Sequence, residues 1–77
     1  MNYQQEVAGN VRAEASRRNI GKDELAKAVG LGSSAIHYRW SGEKEWRLSE
    51  LSKIAPVLGV SISVLTHSES DVTALAA

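Results

Sequence analysis

A chain of 77 residues, 43% hydrophobic and 23% charged, has the composition of one ordinary globular domain with a modest core and is too short for two. The absence of cysteine and two histidines far apart in sequence exclude a disulfide scaffold, a thiolate metal site and a zinc spacing, so no metal and no other cofactor is expected. Nine Lys and Arg balance nine Asp and Glu, and this neutral total argues against holding nucleic acid by bulk electrostatics alone.

In the first segment Tyr3, Val7, Val11 and Ala15 recur every four residues along one helix face, with Asn2 placed to cap it. Asn19-Ile20-Gly21 breaks that pattern. A short second helix is expected from Lys22 to Val29, with Asp23 and Glu24 in the first turn where carboxylates complement the helix dipole. Gly30-Leu31-Gly32 reads as a turn, and Ser33 to Ser41 as a third helix stopped by Gly42. A polar loop then leads to a fourth helix whose apolar face is Leu48, Leu51, Ile54, Ala55 and Leu58, ending at Gly59. Pro56 sits inside it, where the missing N–H and the ring clash cost on the order of 3 kcal/mol unless the local geometry is loosened. Ser61 is placed to cap a short fifth helix carrying Ile62, Val64 and Leu65.

The fold class is therefore all-α, a compact bundle of five short helices containing a helix-turn-helix. The basic residues all lie at or before Lys53, so residues 1–66 carry nine basic and seven acidic groups, while Glu69 and Asp71 make the end of the chain acidic. A folded domain over 1–66 and a flexible acidic tail over 67–77 are expected. No apolar run reaches membrane-spanning length and the start lacks a signal-peptide layout, so the protein is expected in the cytoplasm.

The informative stretch is Lys22 to Ser41, KDELAKAVGLGSSAIHYRWS. Two short helices joined by a three-residue turn demand a small residue where their backbones touch, a residue able to take positive φ at the turn, and flanking apolar residues. Ala26, Gly30 and the set Leu25, Val29, Leu31 and Ile36 stand at those positions. On a helical wheel Ser33, Ser34, His37, Tyr38 and Ser41 form one polar arc, opposite Ala35, Ile36, Arg39 and Trp40. His37 has no carboxylate and nucleophile pair at an interpretable spacing, so no enzymatic site is expected.

With DELAKAVGLGSSAIHYRWSG and LSELSKIAPVLGVSISVL, the chain resembles the lambda-repressor-like helix-turn-helix family of phage repressors and Cro proteins over about residues 4–66. The resemblance implies that the second helix of the motif lies in the DNA major groove. It makes Ser33, Ser34, His37 and Tyr38 the base-reading residues, chemically suited because hydroxyl and imidazole groups can donate or accept at base edges. It makes Lys22 a phosphate contact at the start of the second helix, and Ser41, Lys44 and Arg47, with the departing Arg39, are the other expected phosphate contacts. The chain departs from the family at Arg39, where an apolar residue is usual. Trp40, four residues from Ile36, is expected to anchor the core instead, with Arg39 reaching a phosphate or a carboxylate such as Glu14. For Trp46 a loop anchor and an exposed aromatic stand equal.

The expected function is thus a sequence-specific transcriptional regulator of repressor or Cro type, bound to double-stranded operator DNA. Its small positive excess calls for a homodimer, with Ile62, Val64 and Leu65 either forming the apolar patch by which two copies meet or only closing the core. The alternative is the same fold as a protein-interaction module, such as an antitoxin or accessory factor, which the Glu-bearing loop and acidic tail would suit.

Overall fold

The computed structural model describes residues 2–68, so the expected acidic tail lies outside the described residues from position 69 onward. Five helices follow one another: α1 (Tyr3–Arg17), α2 (Lys22–Val29), α3 (Ser33–Ser41), α4 (Leu48–Leu58) and α5 (Ile62–Thr66). There is no strand among the described residues.

Local chemistry sets the boundaries. The Asn2 side chain accepts from the Gln5 N–H at 2.9 Å and caps α1. At its far end Asn19 takes a φ of 56°, which Asn tolerates better than most residues, and the Ile20 N–H returns to the Ala15 carbonyl at 2.9 Å. At the end of α2, Gly30 adopts a φ of 75° and the N–H groups of Gly30 and Leu31 both reach the Ala26 carbonyl. That turn delivers the chain to Gly32 in extended conformation, from which α3 starts. α4 runs through Pro56. Both Pro56 and Ser52, whose carbonyl would have accepted the missing N–H, are exposed, so water can take the place of the lost bond. Ser61 does not cap α5 with its side chain as expected, since its hydroxyl pairs with that of Ser63 at 2.8 Å.

α1 packs against α3 and α5, α2 against α3 and α4, and α4 against α5. The core is built from Val7, Ala8, Val11 and Ala15 of α1, Leu25, Ala26 and Val29 of α2, and Ile36 of α3. Leu51, Ile54, Ala55 and Leu58 of α4, Leu65 of α5 and Trp46 of the α3–α4 loop complete it. Tyr3, the first residue of the predicted apolar stripe, stays half exposed and donates its hydroxyl to the Thr66 carbonyl at 2.7 Å. Asn10 donates to the carbonyls of Leu65 and His67, fixing the chain that leaves α5 against α1.

Four expectations change in this packing. Leu48, expected on the apolar face of α4, is exposed at the head of that helix. Trp46, not Trp40, is the buried tryptophan: the loop folds its ring into the core at 4% exposure, while Trp40 is half-buried at the end of α3. Leu65, a candidate for the dimer surface, instead closes the core and is fully buried, because a five-residue helix needs one large side chain to hold it to the bundle. Of the other two candidates Ile62 is half-buried against the core and Val64 is exposed. Glu14 does not receive Arg39 but is bound by Arg17 and Arg18 of its own helix.

Candidate nucleic-acid interface

α3 presents its polar arc outward. Ile36 is its one buried residue, and Ser33, Ser34, His37 and Tyr38 are exposed on the opposite side. These four side chains and Lys22 from the start of α2 line one shallow, open depression. Sequence spacing on α3 explains the first four, and the Gly30–Gly32 turn brings Lys22 beside them.

Neither serine is spent on capping. Gly32 is the residue before α3 and offers no side chain, so the first-turn N–H groups of α3 have no side-chain acceptor and the hydroxyls of Ser33 and Ser34 make no hydrogen bond within the described chain. α2 likewise begins after Gly21 without a side-chain cap. Open helix starts near a lysine attract anions, although exposed Asp23 and Glu24 in the first turn of α2 offset part of that field.

Tyr38 is held from two sides. The His37 ring meets it edge-on at 5.8 Å between centroids, and the Lys44 ammonium stands 5.4 Å from its ring centre. The Tyr38 carbonyl accepts from the N–H groups of Gly42 and Lys44 and from the Ser41 hydroxyl, which in turn accepts from the Glu43 N–H at 3.4 Å. Ser41 and Lys44 therefore sit at the C-terminal rim of the same face. Arg47 is exposed at the head of α4 and does not line the depression.

The C-terminal carbonyls of α3 are tied to α1. Arg12 donates to the Trp40 carbonyl, and Gln4 donates to the Gly42 carbonyl at 2.7 Å. Gly42, at a φ of 89°, lies directly on α1: a Cβ there would stand 3.3 Å from the Ala8 Cβ and 3.4 Å from the Gln5 Cα.

Arg39, expected among the phosphate contacts, takes a different partner. Its Nε donates to both oxygens of Glu50, at 2.9 and 3.0 Å, with the two side chains only 12% and 11% exposed. Oε1 of Glu50 also accepts the Arg47 N–H at 2.9 Å. This is one half of a capping box, because an arginine side chain has no acceptor to complete the other half. Sequence reasoning missed this pair. Its one visible signal is a glutamate three residues after Arg47, at the head of a predicted helix.

Burial raises the Glu50 carboxyl, but the hydrogen bonds from Arg39 and the Arg47 N–H, together with their charges, outweigh it and hold the group below its usual range. Glu14 is lowered as well, first by the hydrogen bond from Arg18, against burial and with help from Arg17. A carboxyl whose pKa is depressed on folding stabilises the fold above its unfolded value, and that stability is lost as pH falls through the folded value. Thermal unfolding followed by circular dichroism should therefore be insensitive to pH from neutrality down to about 5 and shift to lower temperature below it. The Glu50→Gln protein should show a smaller acid shift, and an equal shift would mean that Glu50 contributes nothing to it.

Among the described residues no group of three or more His, Cys, Asp or Glu is placed to hold a metal ion, and no helix is long and apolar enough to cross a membrane. A family model for the Cro/C1-type HTH DNA-binding domain matches residues 10–66, well over half of the chain. No curated protein and no solved structure matches it.

Proposed function

The chain belongs to the family of Cro/C1-type helix-turn-helix DNA-binding domains, and on that premise we propose that it is a sequence-specific transcriptional regulator of phage-repressor or Cro type. In this reading α3 enters the major groove of an operator, with Ser33, Ser34, His37 and Tyr38 at base edges. Lys22, Ser41, Lys44 and Arg47 contact phosphates. The single observation that supports it best is the shared depression of Lys22, Ser33, Ser34, His37 and Tyr38, whose polar groups are left largely unspent by the fold. Arg39, committed to Glu50, is left out of the phosphate set.

None of the four base-facing side chains is the bidentate Arg, Asn or Gln that gives the strongest discrimination, so each half-site is read with moderate specificity. A net excess of two positive charges over residues 1–66 also gives modest affinity for one copy. Two copies pairing through Val64 and the half-buried Ile62 would read half-sites about 34 Å apart in a cytoplasmic homodimer on DNA. A second reading, a protein-interaction module, has one observation in its favour: Leu48 is 68% exposed beside a mostly apolar cleft formed with Tyr3, Val7, Trp46 and Leu51.

The roles separate experimentally. Tyr38→Ala and Ser34→Ala should each lower the preference for a selected site over a scrambled one by about tenfold while leaving non-specific binding unchanged. Lys22→Ala should weaken binding to every sequence and reduce the salt slope by about one unit. Fluorescence anisotropy over a range of salt concentrations measures both, and equal behaviour of the three variants would contradict the assignment. Sedimentation of the free protein tests the dimer: a monomer at high micromolar concentration would confine pairing to DNA.

A further inference from the structure

We propose that Arg39 and Glu50 form a positioning pair that sets the pose of α3 against α4 and so governs how well the chain tells one DNA sequence from another. This inference rests on the DNA-reading function proposed above.

The apolar hold on α3 is one-sided, toward α1 and α2. Ile36 is the only fully buried side chain of its nine residues and half-buried Trp40 packs against the core one turn later, so the apolar contacts lie on the side of α1 and α2 and pivot about Ile36. Arg12 and Gln4 fix only backbone carbonyls at its C-terminal end, at Trp40 and Gly42. Rotation about the pivot toward or away from α4 is opposed by a contact of another kind, the Arg39 guanidinium on Glu50.

That contact is built to be rigid at both ends. On the α3 side the Arg39 Nη1 also reaches the Ala35 carbonyl at 3.4 Å, which ties the guanidinium to the turn before it. On the α4 side Oε1 of Glu50 is shared with the Arg47 N–H, so the carboxylate is locked to the start of its helix. The carboxylate also sits in the first turn of α4, where the dipole favours it. Both side chains are nearly out of solvent, so water does not screen the pair as it would at the surface.

The leverage follows from geometry. Ser33 and Tyr38 lie on either side of Ile36 on a helix rising 1.5 Å per residue, so a tilt of about 10° displaces groups some 6 Å from the pivot by about 1 Å. Hydrogen bonds to base edges weaken steeply over such a displacement, whereas long flexible lysines can still follow a phosphate. Loss of the pair therefore degrades base reading before it degrades phosphate binding.

The test compares wild type, Glu50→Gln, Arg39→Lys and the double variant Arg39→Met with Glu50→Gln, each shown by circular dichroism to be folded at the assay temperature. Glu50→Gln keeps an acceptor for the Arg47 N–H but removes the counter-charge. The ratio of affinities for a selected site and a scrambled duplex is measured alongside the salt slope, with hydrogen exchange of α3 amides in the free protein. Expected are a loss of about tenfold in the ratio for Glu50→Gln, comparable to one misread base pair, partial retention by Arg39→Lys, an unchanged salt slope and faster exchange in α3. The double variant, which leaves no unpaired charge behind, should regain thermal stability without regaining the ratio.

An unchanged ratio in folded Glu50→Gln, or a ratio that returns together with stability in the double variant, would overturn the positioning role and leave the pair as a stabilising contact. A wild-type protein with no preference for any duplex would overturn the DNA-reading function itself, and this inference with it.

Discussion

Replacing Gly42 with alanine is expected to lower the free energy of unfolding by roughly 2–4 kcal/mol, the sum of a backbone cost and a packing cost. The backbone cost comes from a φ of 89°, which side chains with a Cβ rarely adopt. The packing cost comes from α1: the new methyl would meet the Ala8 Cβ at 3.3 Å and the Gln5 Cα at 3.4 Å, and a helix backbone does not yield as a side-chain tip does. In a domain this small the thermal midpoint should fall by more than about 10 °C. Gly30→Ala supplies the control. Its φ of 75° is comparable, yet a Cβ there meets nothing within 4 Å, so only the backbone cost of about 1–2 kcal/mol remains. Equal losses by chemical denaturation would contradict the close seat of α3 on α1. The seat matters for the proposed function because Gly42 directly follows Ser41 and receives the Gln4 bond that fixes the end of α3.

Trp46→Ala is expected to cost still more, about 3–5 kcal/mol, because it empties a large core position in a fold whose total stability is of order 5–15 kcal/mol. Trp46→Phe should cost far less, no more than about 2 kcal/mol. The indole N–H is buried and finds no acceptor among the described residues, so phenylalanine gives up packing volume while also removing an unpaired donor worth about 1–3 kcal/mol. Urea titration of the two variants measures the difference, and equal losses would mean that the N–H does contribute. Trp46 also anchors the loop that carries Lys44 toward Tyr38, so Trp46→Ala should weaken DNA binding even where the protein remains folded.

Much of the fold is legible because local rules and packing agree. Apolar residues at spacings of three and four give α1, α2 and α4, and Gly30, Gly42 and Gly59 end their helices at positive φ as their positions suggest. The exposed face of α3 is legible for the same reason. In a nine-residue helix with one buried residue, Ile36, the arc of the wheel opposite it turns outward.

What the residues alone do not reveal depends on register between elements distant in sequence. Arg39 can be seen to occupy a normally apolar position, but that its partner is Glu50 rather than Glu14 follows from where the loop after α3 brings the first turn of α4. Trp46 lies in a loop with no periodicity, so its burial is decided by the path of that loop over the core. The five residues of α5 are too few to establish a face, and Leu65, open to a core or a surface role, is buried. Ion pairs and loop anchors are thus the parts of this molecule that emerge only in three dimensions, and one of them bears directly on α3.

Whether the exposed face of α3 reads DNA sequence is decided by selection of random duplexes with the wild-type chain at low salt. An enriched two-fold symmetric motif is expected, with half-sites about one helical turn, 34 Å, apart, in which Tyr38→Ala erases the preference at one position of each half. Recovery of no enriched sequence by a folded protein would contradict it.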